Sequence, residues 1–450
     1  MHQRTHAASG RPEDGRLPWG KTLAFGMQHI LTMYGGLIAP PLIIGTAAGL
    51  GTAEIGMLIS AALFVSGLAT LLQTLGLPFF GSQLPLVQGV SFAGVATMVT
   101  IVNGGGGLPA VFGAVMVSAA IGLLVTPFFA HIIRFFPPVV TGTVVTVIGL
   151  SLMPVAVRWA MGGNMRAADW GAPGNIGLAA FTLAVVLLLN RLGGRAVARV
   201  AVLLAMAIGT LAAMLAGKTH FGALPAGELL ALPHPFAFGW PVFELPAILS
   251  MLLIVLVLLT ETTAGLMAVG EIVGTPVDGR RIANGLRADM LSSALSPVFN
   301  SFPQSSFAQN IGLVALTGVK SRFVVSAGGL ILLLLGVVPA LGVVVAAIPL
   351  PVLGGAGVVL FGSVAASGIR TLAKVEYKDN MNLVVVATAI AFGMIPIVMP
   401  TFYDRFPSWV GTLLHSGISA SCLAALLLNL LFNATRPAAV VASRSSLPPG

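Results

Sequence analysis

Apolar stretches long enough to cross a hydrocarbon core of ~30 Å recur from about residue 22 to about residue 432 of this chain. Only 8% of its 450 residues are charged and 57% are hydrophobic, whereas a soluble domain carries roughly 25% charged residues. Such a composition cannot cover a water-facing surface. The chain is read as an all-α polytopic membrane protein in a lipid bilayer, because a helix satisfies its own backbone hydrogen bonds there. The net charge of +9 would suit a nucleic acid, but the basic residues are scattered among short loops, so no nucleic-acid partner is expected. The single Cys422 lies within a late apolar segment, which excludes a disulfide framework and a cysteine metal site. No metal and no cofactor is expected.

Fourteen membrane segments are expected, as two seven-span repeats over residues 21–218 and 241–433. Residues 1–20, which lack a cleavable signal pattern, and residues 434–450 read as disordered cytoplasmic tails. The segments near 84–101, 287–301 and 305–318 are too short, or too interrupted by Gly and polar residues, for ordinary spanning helices. Those near 322–345 and 409–432 read as single spans. With the N-terminus in the cytoplasm, 18 of the 22 Lys and Arg residues fall inside, and only Arg158, Arg166, Lys218 and Arg405 fall outside. A single missed span would scramble this bias. Both termini are therefore placed in the cytoplasm, and the chain in the cytoplasmic (inner) membrane.

The two halves repeat each other faintly. Ser91-Phe92-Ala93-Gly94 recurs as Ser306-Phe307-Ala308-Gln309, and Pro137-Pro138-Val139-Val140-Thr141-Gly142 resembles Pro349-Leu350-Pro351-Val352-Leu353-Gly354-Gly355 at a similar offset. Halves with seven spans each insert with opposite topology, and interrupted segments at matching places point to a binding site.

Within the apolar segments one acid stands out. Glu261 follows the almost wholly apolar run Leu245 to Thr260. An ionised carboxylate there costs at least about 2.5–3.5 kcal/mol on insertion scales. It suits a proton-coupled site, where a carboxyl is neutral in one step and charged in another; a carboxyl hydrogen-bonded between helices is the structural reading. The second feature is Gln309-Asn310 after Phe302-Pro303-Gln304-Ser305-Ser306-Phe307. Pro303 and the polar cluster break the helix, and extended backbone at membrane depth lines a cavity or lies buried in protein. A helix starting near Asn310 would aim free N–H groups at that cavity. Gln309 offers donors and an acceptor suited to the edge of a flat heterocycle, or serves as a packing amide. In the first half, Gln88-Gly89-Val90-Ser91-Phe92 follows Pro85, and Phe92 could stack on a flat ring or simply pack. His29 suits a site residue or a packing histidine equally. The run Asn103-Gly104-Gly105-Gly106-Gly107 lacks the Lys and Ser/Thr of a phosphate loop, and nothing else reads as enzyme chemistry.

Gln309-Asn310-x-Gly312-x4-Thr317-Gly318 resembles the signature of the nucleobase–ascorbate transporters, the nucleobase:cation symporter family. So do Gln28-His29-Ile30-Leu31-Thr32-Met33-Tyr34, the stretch Arg134-Phe135-Phe136-Pro137-Pro138-Val139-Val140-Thr141-Gly142, Phe299-Asn300-Ser301-Phe302-Pro303 and Leu316-Thr317-Gly318-Val319-Lys320-Ser321-Arg322. The similarity covers roughly residues 18–433 and is strongest to the bacterial xanthine/uric acid permease branch. It implies a core domain (spans 1–4 and 8–11) and a gate domain (spans 5–7 and 12–14), with short antiparallel strands in the broken spans 3 and 10 holding Ser91-Phe92 and Ser306-Phe307. It implies that Glu261 and Gln309 bind the base, with Phe92, Ser91 and Ala308 against it and His29 and Asn310 tuning affinity. Asp289 matches an acid important in xanthine carriers and joins Glu261 in proton coupling. A homodimer is implied too. Uracil-type members carry Glu in the place of Gln309, so the amide favours a purine. One departure is Gly265, where many xanthine carriers place an Asp four residues after the Glu.

The expected function is proton-coupled uptake of a purine base, xanthine and/or uric acid, by alternating access. The alternatives are a sulfate-type anion transporter of the same seven-plus-seven architecture and a uracil or other nucleobase permease.

Overall fold

Residues 11–129, 135–218, 230–378 and 381–433 are described in the computed structural model of the chain. The expectations on residues 1–10, on residues 434–450 and on Arg134 lie outside them. The first half contains α1 (Trp19–Ala47), α2 (Thr52–Leu75), β1 (Gln88–Val90), α3 (Val95–Ile101), α4 (Gly107–Val125), α5 (Pro138–Ala160), α6 (Pro173–Leu192), α7 (Gly194–Arg199) and α8 (Ala201–Leu215). The second half contains α9 (Leu245–Val273), α10 (Gly279–Leu295), β2 (Gln304–Ser306), α11 (Ala308–Thr317), α12 (Arg322–Gly336), α13 (Pro339–Ala346), α14 (Leu350–Leu372), α15 (Met381–Val398), α16 (Ser408–Leu414) and α17 (Gly417–Asn433). Among the described residues, eight helices are long and apolar enough to cross a membrane, or nine if α12 and α13 form one broken span.

Several segments differ from the plain spans read in the sequence, each for a local reason. The stretch near 322–345 bends by 82° between α12 and α13, where Pro339 cannot continue the preceding hydrogen-bond ladder. α3 and α4 are joined through a wide turn at Val102–Gly106, with Gly105 at φ 93°, a conformation that favours glycine. The segment near 409–432 is split into α16 and α17. α10 begins at Gly279, earlier than expected, because Asp278 caps it by accepting from the Arg281 N–H at 2.8 Å.

The helices fall into two packed groups. One contains α1, α2, α4, α9, α10, α12 and α13, and the other α5, α6, α8, α14, α15 and α17. Lipid gives no hydrophobic drive between helices, so close backbone approach at small residues supplies the cohesion. In the first group, α2 meets α12 where a methyl added to Gly336 would lie 2.4 Å from the Phe64 nitrogen. In the second, α5 meets α14 where a methyl on Gly149 would lie 2.3 Å from the Ala365 nitrogen. Between the groups, the Thr97 hydroxyl of α3 lies 2.7 Å from the Ser416 hydroxyl just ahead of α17.

The N-terminal segment is docked from Arg11 onward rather than trailing free over the whole of residues 1–20. Glu13 is fully buried and pairs with Arg281. Asp14 pairs with Arg322 at 2.6 Å, and Arg322 also donates to the Thr74 carbonyl at 2.8 Å. These contacts bind the start of the chain to the ends of α2, α10 and α12.

Gly149→Ala should destabilise the protein by about 1–3 kcal/mol, the usual cost of overpacking, and lower its melting temperature in detergent. Gly177→Ala, with nothing within 4 Å of the new methyl, should leave the melting temperature unchanged. Equal melting curves for the two variants would contradict the close α5–α14 contact.

Candidate functional site

Two helix breaks meet at the centre of the first helix group. Pro85 and Pro303 stand ahead of short extended segments, and a residue preceding proline is itself pushed towards extended backbone. β1 and β2 pair antiparallel, with Gln88 opposite Ser306, Gly89 opposite Ser305 and Val90 opposite Gln304. The ladder runs one step further each way. The Ser91 N–H donates to the Pro303 carbonyl at 2.9 Å, and the Phe307 N–H to the Val87 carbonyl at 3.0 Å. Ser306 thus lies in a strand, whereas Ser91, Phe92 and Phe307 lie just past the strand ends.

From this crossing α11 starts at Ala308, with Phe307 in extended conformation at its N-cap. The Asn310 N–H already bonds back to the Phe307 carbonyl at 3.1 Å, so the free N–H groups of the first turn are those around Ala308 and Gln309. Both of these residues are exposed. Asn310 points the other way. It is buried, and its Nδ2 donates to His29 Nδ1 at 3.1 Å and to the His29 carbonyl at 2.9 Å. With Nδ1 as acceptor, the neutral His29 ring carries its proton on Nε2. His29 and Asn310 therefore tie α1 to the first turn of α11, while Gln309 faces open space.

Glu261 is half-buried on α9. Among the described residues, neither its carboxylate nor the Gln309 amide has a hydrogen-bond or ion-pair partner. One turn further along the same face of α9, a methyl on Gly265 would lie 2.7 Å from Ser306 Oγ and 3.2 Å from the Ile311 side chain. That contact orients the Glu261 face of α9 towards β2 and α11. It also gives Gly265 a local reason: β2 runs too close for a larger side chain unless Ser306 turns away.

Phe92 is half-buried between the two helix groups. A methyl on Gly36 of α1 would touch it at 3.7 Å, and its ring stands edge-on to Phe361 of α14 with centroids 6.0 Å apart. Ser91 is buried and accepts from the Ala93 N–H at 3.1 Å, so its hydroxyl serves the local turn. Asp289 is not at the open face. It is buried on α10 and accepts from the Thr262 hydroxyl of α9, the residue after Glu261. A small apolar cleft lined by Gly35, Ile38, Trp159, Met206 and Phe361 holds none of the expected site residues, and Phe361 links it to Phe92. Phe361, in an apolar run, and Thr262, in the polar stretch Thr260 to Thr263, did not stand out in the sequence, because each gains its meaning from a partner on another element.

The chain matches the model of the Permease family (Xan_ur_permease) over residues 20–402. It is 40% identical to the uric acid transporter UacT of Escherichia coli (strain K12), over 92% of this chain and 86% of that protein. It is 38% identical to the xanthine permease of Bacillus subtilis (strain 168), over 92% of this chain and 94% of that protein. Among solved structures, the transmembrane domain of a cyanobacterium bicarbonate transporter, BicA, superposes with a TM-score of 0.62 at 14% identity, covering 93% of this chain and all of that one; the likeness is one of fold. Together, the helices long enough to cross a bilayer, the broken-helix crossing and these matches place the chain as a multi-pass membrane protein that belongs to the Xan_ur_permease family.

Proposed function

We propose that this protein carries a purine base, xanthine and/or uric acid, across the cytoplasmic membrane together with protons, by alternating access. The relatives named as uric acid transporter and xanthine permease support the substrate class. The observation that carries the reading is the placement of two unpartnered polar groups around one helix break: the Gln309 amide at the first turn of α11, and Glu261 on the face of α9 that packs against β2 and α11. An amide with free donors and acceptor reads the edge of a flat base, and exposed backbone N–H groups at the helix start favour its electron-rich atoms.

In this reading Phe92 lies against the ring, and Ser91 and Ala308 border it. His29 and Asn310 set affinity by fixing the first turn of α11. Glu261 and Asp289 take part in proton coupling. A proton reaches Glu261 from outside, the purine docks across Glu261 and Gln309, and the loaded carrier reorients inward without chemical change to the substrate. The first helix group is the core domain, the second the gate, and the chain crosses the membrane fourteen times as two inverted seven-span repeats with both termini in the cytoplasm. The carrier works as a homodimer. An anion carrier of sulfate type would favour a fixed cation at the helix break, and among the described residues no Lys or Arg lies within β1, β2, α3 or α11.

Glu261→Gln should abolish protonophore-sensitive accumulation of labelled xanthine and uric acid while leaving exchange or binding. Full accumulation in that variant would remove Glu261 from coupling. Gln309→Glu should weaken purine uptake about ten- to a hundredfold, the equivalent of about 1–3 kcal/mol for a mismatched hydrogen bond, and admit uracil. Unchanged xanthine and uracil competition profiles would rule out an edge-reading role.

A further inference from the structure

Between α2 and α10, against the strand crossing, the first helix group encloses a second polar layer. Along the face of α2, Ser66 donates to Gln304 Oε1 at 2.9 Å, Thr70 bonds both backbone groups of Gln88, and Gln73 Oε1 accepts from the Ser82 N–H at 3.2 Å. Opposite it on α10, Ser293 bonds the backbone of Gln304, Asp289 accepts from Thr262, and Gly285 leaves room for Gln73 Nε2, which would lie 3.3 Å from a methyl there. Gly285, Asp289 and Ser293 are four residues apart and share one helix face.

Buried polar groups are ordinarily hydrogen-bonded, yet in this layer several have no partner among the described residues. They are both side-chain atoms of Gln88, Asp289 Oδ1, Gln73 Nε2 and Ser82 Oγ, and all four residues are at most 1% exposed. The row continues outward. Arg281 donates to the Ser82 carbonyl at 2.7 Å and pairs with Glu13, whose Oε2 is also buried without a partner. Ser293, Asp289, Gly285 and Arg281, one helical turn apart on α10, carry these contacts from the strand crossing to the docked N-terminal segment.

We infer that Gln88, Asp289, Gln73 and Ser82 hold a file of water molecules that conducts protons between Asp289 and the surface at Arg281 and Glu13, separate from the path of the substrate. A buried water typically takes about three hydrogen bonds from otherwise unsatisfied polar groups, which is the complement these side chains offer. The inference rests on the proton-coupled reading above. Asp289 is the group in the file that changes protonation. Of the elements packed against α10, α4 and β2 bring no titratable side chain, α2 brings only Glu54 at its far end, and α9 brings Glu261 beside Thr262 and the exposed Glu271. On α10 itself, Arg280 and Arg281 stand at the start, and Arg287 donates to Asn284 at 2.9 Å. No cation pairs with Asp289 among the described residues.

The test uses the full chain in proteoliposomes, comparing pH-gradient-driven accumulation of labelled xanthine and uric acid with counterflow at equal pH. Gln73→Leu removes both amide functions and should lower gradient-driven accumulation at least tenfold while counterflow stays within twofold of wild type. Gln73→Glu keeps an acceptor for the Ser82 N–H and a group that exchanges protons, and should retain coupling. Wild-type accumulation in Gln73→Leu would overturn the inference, as would a parallel loss of accumulation and counterflow in both variants. Wild-type protein that shows counterflow but ignores the pH gradient would remove the proton-coupled reading itself, and the file with it.

Discussion

A helix interrupted at membrane depth exposes backbone N–H and C=O groups that lipid cannot satisfy, and each left bare costs several kcal/mol. Here two interruptions, more than two hundred residues apart, satisfy one another as β1 and β2. The placement of the candidate site residues depends on that pairing. It sets where α11 begins, and so which of two adjacent amides faces outward and which is tied to His29. It brings Ser306 against Gly265 and turns the Glu261 face of α9 towards the same break.

Around this crossing, cohesion comes from close backbone packing rather than from apolar burial alone. α2 on α12 and α5 on α14 approach so closely that a single methyl would collide with main-chain atoms. Across the two groups, the Phe92–Phe361 edge contact and the Thr97–Ser416 hydroxyl pair are side-chain contacts. Side chains that meet at their tips separate at less cost than interlocked backbones, which suits the proposed movement of one group against the other. The buried pairing of Glu13 with Arg281 adds a fixed tie at one end of the first group, where removal of either partner would leave an uncompensated buried charge.

The polar interior of the first group serves two sides of the strand crossing. On one side lie exposed Gln309 and half-buried Phe92, whose ring meets Phe361 of the second group. On the other lie Gln88, Asp289 and Gln73, sealed from the surface. Two acids adjacent through Thr262, Glu261 half-open and Asp289 enclosed, therefore occupy different environments although one residue and one hydroxyl link them.

Much of this was legible in the chain of letters. A charged fraction of 8% excludes a soluble fold, Pro85 and Pro303 mark the breaks, and a carboxyl after sixteen mostly apolar residues marks itself. These are local properties, set by solvation and by proline geometry within a few residues. What the tertiary structure decided are the partners: Gln88 with Ser306, His29 with Asn310, Asp289 with Thr262, Phe92 with Phe361. It also decided that the span after Arg322 bends, and that residues from Arg11 dock rather than trail. Each of these depends on which helix faces which, and in a chain this uniformly apolar the helix faces look alike until close backbone packing selects one arrangement.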